Sequence, residues 1–332
     1  MICKLFNVFS LLLFTQLSIA QSTNGEHVIS VDQVSNIADS RVVILHVAGA
    51  EDYAAGHLPN AINVTRAFIS DSTLEYGGVM ATKDQMESLL GKLGVAPTNK
   101  IILYDDKGGC DATRLWWILS FYGHNDVVLL DGGLQAWKDK QLVISKDLPT
   151  VGSCEYAFPK DPNGSLYARL EDVQLLMKDS NSVLLDVRTF SEFTGEIQKK
   201  GAFRKGRIPG SILMDWVNLI NYKGNGKLKP IAEIQSVLNS LGITKEKDII
   251  VYCHSGVRSS HTTFVLTELL GYKNVRNYDG SWIEWSFNDK LPIETGEIME
   301  PKKVEPSTDF WWLLILPIAV GLFFLNRRNL RK

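Results

Sequence analysis

The chain repeats itself, and the length of the repeat restricts its architecture. Ile101-Ile-Leu-Tyr-Asp105 corresponds to Ile249-Ile-Val-Tyr-Cys253 at an offset of 148. At the same offset, with no gap, Gly123–Trp137 corresponds to Gly271–Trp285, and both carry a Val-x-x-x-Asp-Gly core. Upstream, Ala55-Gly-His-Leu-Pro-Asn-Ala-Ile62 matches Lys205-Gly-Arg-Ile-Pro-Gly-Ser-Ile212 at an offset of 150. A period this long is a domain, not a solenoid unit. The 332 residues accommodate two such domains.

Each copy alternates short apolar runs with helical stretches. Val42–Val47, Ile101–Tyr104, Val183–Val187 and Ile249–Tyr252 are β-branched and apolar, as buried parallel strands are. The pattern predicts an α/β fold in each copy, a parallel sheet covered by helices on both faces. The expected domains are 28–140 and 167–290, joined by a linker over 141–166. That linker carries three prolines and Asn163-Gly164.

The two ends read differently from the middle. Residues 1–20 have one charge, Lys4, an apolar run and small residues before Gln21, the pattern of a secretory signal peptide. An uncleaved anchor or a buried helix is the other reading. Residues 310–325 are uncharged, and Arg327, Arg328, Arg331 and Lys332 follow in the tail 326–332. As a helix, 310–325 reaches ~24 Å, a short transmembrane span with its basic tail in the cytoplasm. A buried terminal helix or a processed tail are the alternatives. Residues 291–309 then form a stalk. The expected location is extracytoplasmic, at the periplasmic face of a bacterial inner membrane. Lys4 and the four tail residues account for five of the 35 basic residues, leaving 30 against 37 acidic in 21–309. That acidic balance gives no reason to expect nucleic acid. In such a compartment Cys110 and Cys154 can pair or remain free thiols.

The chemistry concentrates at Cys253-His-Ser-Gly-Val-Arg258, between the strand Ile249–Tyr252 and a helix expected over 259–270. The carboxyl end of a parallel strand is where open α/β sheets place ligands. Gly256 lets the loop curl so that backbone N–H groups converge on an anion. The helix N-terminus and Arg258 add positive charge, and all three lower the pKa of a thiol. Cys253 is therefore the candidate nucleophile, in a loop with His254, Ser255, Gly256, Val257 and Ser259. In the first copy Asp105 replaces Cys253 and Cys110 replaces Arg258, so that copy is expected to be catalytically silent. Cys110 is expected to point away from the site. His254 either tunes the loop near neutral pH or is a spectator.

Taken together these motifs resemble the tandem-domain rhodaneses, the thiosulfate/3-mercaptopyruvate sulfurtransferase family. Asp186-Val-Arg188, Phe193-Thr-Gly-Glu196, Gly206–Ile212, the Cys253–Arg258 loop and Asp279–Trp285 carry the resemblance, with Tyr53–Pro59 and Asp131–Trp137 in the first copy. It implies two rhodanese-like domains and ping-pong transfer of sulfane sulfur through a Cys253 persulfide. Thiosulfate or 3-mercaptopyruvate is the implied donor, and cyanide or a thiol the acceptor. Arg188 and Arg258 are the implied substrate-binding residues, with Asp186 in support. No cofactor or metal is implied, and any protein acceptor is unspecified. The chain departs from the family at Glu192, where an arginine is common, and at His46, where an aspartate is expected. A phosphatase of related fold needs five residues between its cysteine and arginine, against four here. A membrane-tethered sulfur carrier or binding module without efficient turnover is the alternative function. A thiol–disulfide enzyme lacks its Cys-x-x-Cys pair.

Overall fold

The computed structural model describes residues 27–296. Its first half runs β1 (Val28–Ile29), α1 (Val31–Val34), β2 (Val42–Val47), α2 (Ala50–Ala55), β3 (Ile62–Val64), α3 (Lys83–Lys92), β4 (Lys100–Tyr104), α4 (Cys110–Phe121), β5 (Val127–Leu130) and α5 (Gly133–Asp139). The second half repeats that order. It runs β6 (Tyr167–Ala168), α6 (Leu170–Leu176), β7 (Val183–Asp186), α7 (Phe190–Thr194), β8 (Ile212–Leu213), α8 (Ile231–Ser240), β9 (Ile249–Tyr252), α9 (Val257–Phe264), β10 (Val275–Tyr278) and α10 (Ser281–Phe287).

The duplication expected from the sequence is exact in topology. The sheet orders are β1-β5-β4-β2-β3 and β6-β10-β9-β7-β8, and every strand-to-strand pairing is parallel. Register matches as well: His46 lies opposite Tyr104 in the first sheet, and Asp186 opposite Tyr252 in the second. The central strands β4 and β9 are buried on both faces, which accounts for their unbroken apolar runs. Both end at the loops of interest.

Local signals set the helix starts. Thr82 with Gln85 and Thr189 with Glu192 form reciprocal capping boxes on α3 and α7. Helix α4 is buried over most of its length because it lies between the two domains and packs on α9. Trp116 meets Phe264 edge to face at 4.9 Å, a pair worth about 1 kcal/mol beyond its buried area. One apolar core runs through both halves, from Leu45 and Leu103 to Val251 and Phe264.

Two segments outside the expected domains pack against them. Residues 141–166 connect the domains, but they are held against the first one. Tyr156 and Phe158 are buried, Tyr156 Oη lies 2.8 Å from His124 Nδ1, and Cys154 N–H donates to Gly91 O. Residues 291–295, expected to open the stalk, pack on the second domain, where Leu291 is buried and Glu294 pairs with Arg207; the rest of the expected stalk, 297–309, lies outside the described residues. No helix among the described residues is long and apolar enough to cross a membrane. The signal at 1–20, the span at 310–325 and the tail at 326–332 lie outside those residues.

His46 occupies the position of Asp186, as expected. Its ring stacks on Tyr104 at 4.3 Å, and neither ring nitrogen has a hydrogen-bond partner among the described residues. Burial first, and then the nearby Lys107 and Lys138 charges, lower its pKa to about 4. A histidine lowered from its unfolded value near 6.5 stabilises the fold only while neutral. That contribution is present above pH ~6.5 and is lost as pH falls towards 4. It amounts to about 3 kcal/mol. His46→Phe is expected to flatten this part of the acid-unfolding curve, measured by denaturant titration at pH 7 and 4.5.

Candidate active site

Cys253 follows directly on β9 and is buried. Its loop is curled by one hydroxyl. The amides of Cys253 and Gly256 both donate to Ser281 Oγ, at 3.2 and 3.1 Å, and that hydroxyl donates to Tyr278 O at 2.7 Å. Ser281 itself adopts φ 52°, an uncommon conformation for a non-glycine residue. The N–H groups of Trp282 and Ile283 at the start of α10 hold the carbonyls of Cys253 and His254. Gly256 has φ +76°, and a Cβ there would lie 2.7 Å from Arg114 Nη1 and 2.8 Å from Asp279 O. Only glycine fits.

The curl turns donors onto the sulfur. Ser259 Oγ lies 3.5 Å from Cys253 Sγ. Burial alone would raise the thiol pKa. The Arg258 charge, the Ser259 hydroxyl and the backbone N–H groups of Ser259 and Ser255 outweigh it, so the thiol sits below its ordinary value. Removing the charge with Arg258→Met is expected to raise that pKa. The pH midpoint for iodoacetamide alkylation should move up by about one unit or more. An unmoved midpoint would assign the effect to the Ser259 hydroxyl and the loop amides.

The first domain provides an internal comparison. Asp105 follows directly on β4 as Cys253 follows on β9, and Gly108 has φ +75°. The Asp105 carboxylate fills the cradle. Oδ1 accepts the N–H groups of Lys107 and Gly109 at 2.9 and 2.8 Å, and Oδ2 accepts those of Asp111 and Ala112 at 2.8 and 3.0 Å. The loop geometry is thus an anion nest in both copies, and only the second presents a nucleophile to it.

Arg258 does not stand free. Its two terminal nitrogens bind the Glu192 carboxylate at 2.7 and 2.8 Å. Burial opposes the Glu192 charge, but Arg258 holds that carboxyl down at about 2. Glu192 therefore clamps Arg258 rather than simply removing an anion contact.

Three sequence expectations change here. Arg188, expected to bind substrate, is buried and spent on Asp186, with Nε 2.9 Å from Oδ1 and Nη2 2.6 Å from Oδ2. It also donates to Gly206 O and lies over the Trp282 ring at 4.7 Å. The pair ties β7 to the loop before β8, so Asp186 and Arg188 together brace that junction. His254 Nε2–H donates to Lys200 O, 3.1 Å away. Burial and Lys199 lower its pKa to about 4, so it is neutral near pH 7 and does not tune the loop there. Cys110 and Cys154 are free thiols. Cys154 is exposed and donates to Val95 O, while Cys110 faces the site instead of pointing away.

The site is a cavity of about 690 Å³ between the two domains, within the usual range for small-molecule sites. The first domain contributes Arg66, Lys107, Cys110 and Asp111 to its lining. The second contributes Glu192, Lys199, Trp216, Tyr222 and the loop residues Cys253, His254, Ser255, Val257 and Arg258. Arg66 Nη2 reaches Ser255 Oγ at 3.4 Å across the domain boundary. A second hollow, about 820 Å³ on the first domain, includes none of the loop residues.

Sequence reasoning did not single out Arg114, Arg66 or Lys107 as part of the site. Arg114 leaves α4 to pair with buried Asp279 at 2.6 Å and to meet Gly78 O and Gly256 O. Asp279 also accepts the Met80 N–H. The sole signal was Asp279-Gly-Ser, a motif without a stated role.

Comparison with known proteins agrees with this layout. The rhodanese-like domain family matches residues 30–140 and 169–288. The chain is 34% identical over 287 residues to the sulfur carrier protein TtuD of Thermus thermophilus, covering 82% of this chain and 98% of that one. It is 34% identical over 252 residues to a thiosulfate sulfurtransferase of Corynebacterium glutamicum, covering 74% of this chain and 82% of that one. The wild-type structure of EanB superposes with a TM-score of 0.75 at 24% identity, over 83% of this chain and 70% of that one, which shows a shared fold. The chain is a tandem-domain member of the rhodanese family, with both domains present and the cysteine loop in the second.

Proposed function

We propose that the chain is a sulfurtransferase that carries sulfane sulfur on Cys253. The observation that carries this reading is a buried cysteine with a lowered pKa inside an anion nest, beside Arg258. The Cys253 thiolate attacks the outer sulfur of thiosulfate. The S–S bond of the donor breaks, and sulfite leaves with the electron pair. The persulfide's outer sulfur sits among the loop N–H groups. A thiol or cyanide attacks that sulfur, and Cys253 departs as the thiolate that the loop stabilises. Arg66, Lys107 and Lys199 favour anionic donors at the mouth. The first domain is silent because a carboxylate cannot accept sulfane sulfur, and it serves as one wall of the cavity.

Purified full-length chain with thiosulfate and cyanide should form thiocyanate, and kcat/KM for thiosulfate should exceed that for 3-mercaptopyruvate. The reverse order would make 3-mercaptopyruvate the donor. Persulfide loading without turnover on small acceptors would instead support the carrier role, for which the Thermus relative is named.

The reading includes export by residues 1–20 and anchoring by 310–325, supported by the uncharged apolar run and the basic residues after it. Deleting 310–332 should move the protein from the membrane to the soluble fraction, and an unchanged distribution would refute the anchor.

A further inference from the structure

Cys110 is a thiol in the cavity that the transfer above does not use. It is the first residue of α4 and lines the same space as Cys253. Arg258 bears on both sulfurs, its charge favouring the ionised form of each. Otherwise the two thiols are set in opposition. Burial and the carboxylates of Asp105 and Asp111 push Cys110 up, so it stays protonated while Cys253 attacks the donor. The turn before Cys110 is fixed by the Asp105 carboxylate, which accepts the N–H groups of Lys107, Gly109, Asp111 and Ala112 and so holds the thiol at the cavity wall.

We infer that Cys110 is a resolving thiol: it discharges the Cys253 persulfide as hydrogen sulfide when no outside acceptor arrives, and leaves a Cys110–Cys253 disulfide. This rests on the reading of Cys253 as a persulfide carrier. Cys110 sulfur attacks the inner sulfur of the persulfide and forms the new S–S bond. The bond to the outer sulfur breaks, and that sulfur leaves with the electron pair. It takes up the proton lost by Cys110. The two cysteine sulfurs are oxidised to the disulfide level and the sulfane sulfur is reduced to sulfide, so no external oxidant enters. The N–H groups around the outer sulfur stabilise the departing hydrosulfide. An external dithiol reopens the disulfide by exchange. The dithiol enters only to reopen the cross-link, so the discharge itself is internal to one chain. The cross-link also shuts off the nucleophile when acceptors are scarce.

The test loads the full chain with thiosulfate, removes the excess anaerobically and supplies no acceptor. Free sulfide should approach one per chain while peptide mapping shows a Cys110–Cys253 disulfide, and dithiothreitol should reverse the cross-link. In Cys110→Ser, matched for persulfide content by mass, the persulfide should persist about ten-fold longer and no cross-link should form. Raising the pH should hasten discharge in the parent chain but not in Cys110→Ser. Equal decay in the two chains, or a cross-link through Cys154, would overturn the inference while leaving the persulfide reading intact. Absence of any persulfide would remove that reading and the inference with it.

Discussion

Replacing Cys253 with serine should abolish thiocyanate formation, by roughly four orders of magnitude or more as for other lost nucleophiles. The fold should survive, because a hydroxyl fits the space of the buried thiol and keeps a polar contact with Ser259 Oγ. Serine cannot hold sulfane sulfur as a stable persulfide, and its hydroxyl is far less acidic than the thiol that Arg258 and the loop amides favour as thiolate. Thermal unfolding of Cys253→Ser should therefore match the parent while turnover is lost. Substantial residual turnover would move the nucleophile elsewhere, and Cys110 would be the next residue to examine.

The second large effect is at the domain seam. Arg114→Met leaves Asp279 buried with its negative charge uncompensated, since among the described residues its remaining hydrogen bond comes from the Met80 N–H. Breaking a buried pair from one side costs about 3–5 kcal/mol, a large part of a total near 5–15 kcal/mol. For domains of this size the midpoint should fall by roughly 10 °C. The double variant Arg114→Met/Asp279→Asn should recover part of the loss, because neither side then carries a buried charge. Arg114 also meets Gly256 O. Activity at a temperature where Arg114→Met is fully folded should still fall, through a loosened loop. Unchanged stability in the single variant would show that the pair contributes little to holding the domains.

The parts of this molecule legible in the sequence are those set by local pattern. The runs at Ile101–Tyr104 and Ile249–Tyr252 announce buried parallel strands, because strands covered on both faces need apolar residues at every position. Cys253, Gly256 and Arg258 lie within six residues, so their shared chemistry is readable from spacing alone. What spacing does not carry is direction or long-range partnership. Arg188 sits two residues from Asp186 and is consumed by it, and nothing in Asp-Val-Arg says that the guanidinium turns inward. Arg114 and Asp279 belong to different copies and meet only when the domains close. Cys110 enters the cavity for the same reason, because the wall it forms exists only at that seam. Glu192 looks in sequence like a lost arginine; in the structure it is the partner that fixes Arg258.

The central claim is that Cys253 carries the transferred sulfur, and the mass of the loaded protein tests it most directly. The full chain is mixed with thiosulfate, freed of excess donor and weighed intact, then digested to locate the modification. The account predicts a gain of one sulfur atom per chain, confined to the peptide with Cys253 and discharged by cyanide as thiocyanate. No gain, or sulfur held on Cys110 or Cys154 with Cys253 unmodified, would contradict it.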